Sequence, residues 1–354
     1  STAPRYAFKA AFLLAPTANG ITTGLDYVPL AVLLPSCDGD KGNLEGTLIY
    51  DHNRFGPPDD MAPRYQIMLQ GANHDFFNTI WTEDDTPWKN NAGSYCGARP
   101  DTFRLSNTDQ RRIGRFIINS FLRYHVGGEQ QFAAWWNGTA QLPDKACPSK
   151  QGPCDERISL TVQTDASRRK LIQRFDQTDS LNRNALGGAI AFSGFDATAR
   201  CGMQSYLDAV RSVDPCNPKR LKDFENGLWT NKGLLSMADH AELVWSRPDA
   251  AITTDLSGIS AAGYDSLTFR IAVVRPIGQE VMVTLTDAAG NSATIAASDF
   301  SNALYLFPRP KADGRPLVDD PRDTPFADGQ IRMLMNMVAI PLDAFEGVDR
   351  TKLT

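Results

Sequence analysis

The 354-residue chain contains no apolar run approaching the roughly 20 residues that a membrane-spanning helix needs. It also lacks a stripe of Lys and Arg with interleaved aromatics, a CxxC pair, an internal repeat and a low-complexity tract. The first absence excludes a helical membrane span. The second, in a chain with 36 Lys and Arg against 41 Asp and Glu and a net charge of -5, removes the electrostatic footprint of a nucleic-acid binder. The missing CxxC argues against a zinc ribbon or a redox dithiol. There is no initiating Met and no charged and apolar leader at STAPRYAFKAAFLL, so the start is expected to have been processed or omitted.

What is present is ordinary for globular protein: 42% hydrophobic and 22% charged residues. At about 100 to 200 residues per domain, the length predicts two units with separate cores. Six cysteines suit disulfides in an oxidising compartment, secreted or periplasmic. Proximity pairs Cys147 with Cys154 across CPSKQGPC and Cys201 with Cys216, which leaves Cys37 and Cys96, although six cysteines allow other connectivities.

The first unit, residues 1–150, carries continuous apolar runs of strand length at Phe8 to Ala15, Val28 to Leu34 and Tyr65 to Leu69. Such runs are expected for parallel strands covered on both faces by helices. A capping-box-like start at Ser106 to Asp109 precedes Ile113, Phe116, Ile117, Phe121 and Tyr124 on a helical period, and the helix is expected to stop at Gly127 and Gly128. The second unit, 151–354, changes to alternation: Leu267, Phe269, Ile271 and Val273, then Val281, Val283 and Leu285 before the turn DAAGN and a return strand. That pattern predicts antiparallel structure of the sandwich or jelly-roll kind. The Pro- and Gly-containing stretch near 128–157 is the expected linker.

Chemistry concentrates in two loops that directly follow apolar strands, PSCDGDKGN and QGANHDFFN. In an open α/β sheet, loops at the carboxyl ends of the strands converge on the ligand crevice. An acid in one and His74 in the next stand in the order acid then histidine of a serine hydrolase triad. His74 would be the general base, and the acid would fix its tautomer and stabilise the imidazolium.

The segments LLPSCDGD and GANHDFFN resemble secreted α/β hydrolases of the esterase, lipase and polyester-hydrolase type. The nearest resemblance is to bacterial extracellular hydrolases in which a CDGD acid loop, a GANH histidine loop and a trailing β-sandwich occur together. It covers nearly the whole chain and implies the carboxyl-terminal half of an α/β-hydrolase sheet followed by a galactose-binding-like jelly roll. In that family the acid sits a few residues past the strand, which favours Asp40, with Asp38 the alternate. The chain departs from the family at its front, because no G-x-S-x-G elbow is present: Ser94 in GSYCG is displaced and Ser193 in AFSGF lacks the first Gly. The resemblance therefore implies that the nucleophile, both oxyanion donors and five strands lie on an upstream segment or a partner chain. The expected activity is carboxylic-ester hydrolysis without a cofactor. A catalytically inactive binding or surface-structural module, or a peptidase on the same triad, are the alternatives.

Phe76, Phe77, Trp81 and Trp88 could wall an acyl pocket or belong to the core. Asp38, Asp40, Asn43 and Glu45 offer oxygen ligands but lack the EF-hand order, so no metal is expected. His52, His125 and His240 read as surface or hydrogen-bonded residues. Met335 to Phe345 and the hairpin VTLTDAAGNSATI resemble galactose-binding-like modules, with either a packing or a sugar-binding role.

Overall fold

The computed structural model describes residues 7–18, 24–40, 44–85, 96, 104–140, 142–147, 157–175, 180–201, 239–272, 279–304 and 334–354. Its largest sheet has four strands in the order β1 (Ala11–Leu14), β2 (Leu30–Pro35), β3 (Arg64–Leu69) and β4 (Ile158–Gln163). The first three are parallel, and β4 closes one edge antiparallel to β3. Strands β2 and β3 are buried at every position; β2 is apolar throughout, as burial on both faces requires, and the two polar residues of β3 are partnered, Arg64 by Asp60 and Gln66 by Thr47.

The two faces of this sheet are covered differently. On one lies α2 (Asn107–His125), with Ile113, Ile117 and Phe121 against Ala31, Leu33, Tyr65, Ile67 and Leu69. Ser106 caps it by accepting the Asp109 N–H at 3.1 Å, and Arg123 occupies its last turn, where a cation opposes the exposed carbonyls. The short helix α3 (Ala133–Trp136) brings Trp136, fully buried, edge-on to Tyr65 and Phe121 at 4.8 and 5.2 Å, and its indole N–H donates to Ser120 Oγ. On the opposite face, Leu30, Val32, Leu34 and Met68 meet Leu44, Tyr50 of α1 (Thr47–Asn53) and Leu334 from the far end of the chain.

The remaining strands pair two by two: β5 (Ile190–Ser193) with β8 (Ala251–Thr254), β6 (Ala197–Cys201) with β7 (His240–Val244), β9 (Ser266–Ile271) with β12 (Asn336–Pro341), and β10 (Met282–Thr286) with β11 (Ser292–Ala296). All four pairs are antiparallel. The β9–β12 and β10–β11 ribbons share a core of Leu285, Val338, Ile340, Leu342 and Phe345. This region docks on the four-stranded sheet: Gln66 Nε2 donates to Met335 O (3.2 Å), Met337 N–H donates to Thr161 Oγ1 (3.1 Å), and Arg270 of β9 pairs with Asp51 of α1 at 2.6 Å.

The expected architecture, an α/β-hydrolase half-sheet with flanking helices followed by a jelly roll, is overturned. Among the described residues there are three α-helices, of which only α2 is long, and four of the five sheets are two-stranded antiparallel ribbons. The fold is β-rich. The reason lies in the covers: continuous apolar strands demand burial on both faces, but here one face is closed by a long helix and the other by a two-turn helix, loop residues and the chain's distal segment. No helix among the described residues is long and apolar enough to cross a membrane.

Because the Ser106 hydroxyl satisfies an otherwise orphan amide at the start of the longest helix, Ser106→Ala should lower stability by about 1 kcal/mol. Urea unfolding followed by circular dichroism would measure this; an unchanged midpoint would remove the cap from the account.

Candidate active site

Strands β2 and β3 run in parallel register from Leu30 opposite Arg64 to Pro35 opposite Leu69, so both chains leave the sheet at the same edge. Their pairing continues into the loops. Ser36 N–H donates to Leu69 O (3.0 Å), Cys37 N–H donates to Ala72 O (2.8 Å), and Gly71 N–H donates to Ser36 Oγ (2.8 Å). Gly71 sits at φ +84°, a conformation that a side chain would strain.

Two residues on, Asn73 is fully buried and gripped by Gln110 of α2: its N–H donates to Gln110 Oε1 (3.1 Å), and Gln110 Nε2 returns a bond to its carbonyl (2.5 Å). Asn73 Oδ1 accepts the Phe76 N–H (3.0 Å) at the start of a short 3-10 helix, Asp75–Phe77. The Phe77 ring lies where a side chain on Gly114 would be, 2.6 Å from the ideal Cβ position, so the glycine is what lets this turn seat on α2. His74 is thereby held between a strand end and a helix.

The His74 ring is surrounded by carboxylates. Asp38 Oδ1 lies 3.0 Å and Asp85 Oδ2 3.2 Å from Nδ1, while Asp75 Oδ1 lies 3.1 Å from Nε2. Asp38 is a buried carboxylate, and its Oδ1 also accepts the Asp40 N–H at 2.9 Å. Asp85 Oδ2 accepts the N–H groups of Gly39 (3.0 Å) and Asp40 (3.1 Å). Hydrogen bonds from the ring to Asp38 and then Asp85 hold the His74 pKa up at about 10, against a partial burial that acts to lower it. Burial would raise Asp85, but the His74 contact and the two backbone donors outweigh it and leave that carboxyl below its ordinary range. Asp75 is pushed up by burial and by its carboxylate neighbours, although His74 acts in the other direction.

Of the two candidate acids, Asp38 makes the contact to His74; Asp40 is exposed and enters the site through its backbone N–H. The aromatics separate. Trp81 stands edge-on to His74 with ring centroids 6.1 Å apart and is exposed, Phe76 lies beneath the Arg104 guanidinium at 5.6 Å, and Phe77 packs into the core under α2. Trp88 and Asn43 lie outside the described residues. Among the other histidines, His125 is enclosed by Phe121, Tyr124 and Tyr65, and burial lowers its pKa to about 4.

Sequence reasoning missed Asp75, Asp84, Asp85 and Arg104. Asp84 joins Arg104 and Asn73 Nδ2, which ties the segment after Trp81 to the loop before His74. The acidic pair in WTEDD was the available signal.

Cys37 and Cys96 form a disulfide that anchors the acid loop one residue before Asp38. Cys147 is also disulfide-bonded, whereas Cys154 and Cys216 and the side chain of Cys201 lie outside the described residues.

Chemically, the site is a half-buried imidazolium with two carboxylates on Nδ1, one of them fully buried, and a third on Nε2. Its Asp38, His74 and Asp85 ligand atoms lie within 4.8 Å of one another, close enough to share a metal ion. No protein-family model, curated protein sequence or solved structure matches this chain.

The Cys37–Cys96 bridge spans 59 residues, a loop for which chain-entropy arguments give about 4 kcal/mol. The Cys37→Ser, Cys96→Ser double variant should therefore lose roughly 2–4 kcal/mol in urea unfolding, and a loss below measurement error would refute that contribution.

The raised His74 pKa has a definite sign. Its ion pairs contribute fully below the unfolded value near 6.5, and that contribution declines as pH rises towards about 10. The stability gap between wild type and His74→Gln should accordingly narrow from pH 6.5 to pH 10. A gap that is flat or widens over that window contradicts the assigned charge state.

Proposed function

We propose that Asp38 and His74 form the acid and base arm of a secreted serine hydrolase that cleaves carboxylic esters, with the nucleophilic hydroxyl and oxyanion donors supplied from outside the described residues. One observation carries this reading: a buried carboxylate sits 3.0 Å from Nδ1 of a histidine, and the two side chains leave adjoining parallel strands at the same edge. The Cys37–Cys96 disulfide is compatible with the extracytoplasmic setting. The sequence resemblance of the CDGD and GANH loops supports the same chemistry.

In the proposed reaction, the resting imidazolium first releases its Nε2 proton to solvent, and Nε2 of the neutral ring then removes the proton of a serine hydroxyl as its oxygen attacks the ester carbonyl. The imidazolium then returns that proton to the departing alcohol, and water repeats the cycle to release the acid. Asp38 holds the ring through Nδ1. Among the described residues no Ser, Thr or Cys side chain bonds His74, and Asp75 occupies the Nε2 side. The incoming hydroxyl would take the position of Asp75, whose carboxyl is the most easily neutralised of the group's shifted acids because its pKa is raised. Trp81, exposed beside the ring, is the aromatic placed to meet an acyl chain or aromatic ring.

A second reading is favoured by the position of Asp85. In that reading Asp38, Asp85 and His74 Nδ1 would hold a divalent cation, and Asp75 on Nε2 would orient the imidazole ligand.

Fluorophosphonate labelling of the natural material separates the two. The hydrolase reading expects a covalent adduct on this chain or on a polypeptide that co-purifies with it, and at least a hundredfold slower labelling in His74→Ala. Absence of an adduct, combined with one equivalent of tightly bound divalent metal that His74→Ala abolishes, would replace it with the metal reading.

A further inference from the structure

A second charged cluster lies where α1, the segment following β4 and strand β9 meet. Three guanidinium groups surround one ring: the central carbons of Arg54, Arg169 and Arg174 lie 4.8, 5.4 and 4.1 Å from the centroid of Phe55. A fourth, Arg270 of β9, lies 5.1 Å over the ring of Tyr50. Asp51 is shared between Arg54 (3.3 Å) and Arg270 (2.6 Å). Asp165, the acid closest in sequence to Arg169, is engaged by Arg168 at 2.7 Å and by Ser167.

Donors exceed acceptors here. Arg54 Nε, Arg270 Nη2 and the Tyr50 hydroxyl are buried without a hydrogen-bond partner among the described residues, and Asp51 Oδ2 is the single acceptor of the cluster in that condition. Buried donors left unsatisfied are costly, and clustered cations repel one another in a poorly solvated site. Burial depresses the Arg54 pKa, and the charges of Arg270 and Arg174 add to that depression. Arg169 and Arg174 are only half-buried, so the cluster can be reached from solvent.

We propose that this cluster is a binding site for a phosphate group. Guanidinium forks match the oxygens of such an anion, and a tetrahedral anion supplies acceptors in the number that the orphaned donors of Arg54, Arg270 and Tyr50 require. The ring of Phe55 holds the three flanking guanidiniums by cation–π contact, which places them without using their donors. Asp51 keeps Arg54 and Arg270 side by side. None of these residues touches the His74 site, so this proposal stands apart from the hydrolase reading.

The test is calorimetric titration of the phosphate-free full chain with inorganic phosphate, with sodium chloride at matched ionic strength as the blank. A saturable 1:1 isotherm that chloride does not reproduce is the expected result. Arg174→Gln and Arg270→Gln should each weaken binding at least tenfold, whereas Arg247→Gln, at an exposed position, should leave it unchanged. Arg174→Gln is the safer variant because its side chain lies at the edge of the cluster; thermal unfolding of each variant checks folding. A parallel titration with glycerol 2-phosphate distinguishes a site for the free ion, which binds phosphate alone, from one open to a phosphoryl ester, which binds both. No saturable heat with either ligand, or equal affinity in Arg174→Gln and Arg247→Gln, would overturn the proposal.

Discussion

The parallel pairing of β2 with β3 is the constraint on which the site depends. Asp38 follows the end of β2 by three residues and His74 follows the end of β3 by five, and neither has a local reason to meet the other. They meet because the register is carried past both strand ends by backbone bonds to Leu69 and Ala72 and by the Ser36 hydroxyl. A slip of one residue moves a strand by about 3.3 Å and inverts its faces. That displacement exceeds the length of the Asp38–His74 hydrogen bond. The buried positions on both strands forbid it, since each face packs against a different core.

Electrostatics then fixes what the site is at rest. Asp38 is buried, and a buried carboxylate requires a cation or several donors. His74 answers that need, and the Asp40 N–H adds a second contact to the same oxygen. Asp85 draws on two backbone N–H groups, so part of its charge is met without the imidazole. Arg104 answers Asp84. The ring's hydrogen bonds to Asp38 and Asp85, reinforced by the charge of those carboxylates, keep its proton in place well above neutral pH. For the imidazole to serve as a base, the field around it has to change, and Asp75 on the Nε2 side is the contact that an arriving hydroxyl displaces.

The legible part of this molecule was local. An unbroken apolar run announced β2 and a largely apolar one, interrupted by Gln66, announced β3; the Ser106 cap and the spacing of Ile113, Ile117 and Phe121 announced α2, and alternation around DAAGN announced the β10–β11 hairpin. His74 was legible because its loop follows a strand. The covers were not: a fully buried strand states that both faces are closed but not by what. Leu334 reaches the sheet from some 300 residues away in sequence, a contact that no periodicity encodes. The choice between Asp38 and Asp40 was illegible for a related reason, because alternate residues in a tight loop exchange roles between side chain and backbone. Here the first provides the carboxylate and the second the N–H that steadies it.

Both charged clusters hang on the same crossover from β2 through α1 to β3. The loop that leaves β2 carries Asp38, and the helix that follows carries Tyr50 and Asp51, with Arg54 and Phe55 just beyond its end. That helix is tied from three directions: Leu44 and Tyr50 pack on the sheet, Thr47 bonds Gln66 of β3, and Asp51 binds Arg270 of β9. Gln66 in turn reaches Met335 beside β12. The distal β-ribbons are therefore part of what sets the crossover's position, through two polar contacts and the Leu334 side chain. Removing those contacts would expose the second face of β2 and β3 and loosen the register that brings Asp38 to His74. On this argument the carboxyl-terminal region is a structural component of the candidate site even though none of its residues touches the His74 ring.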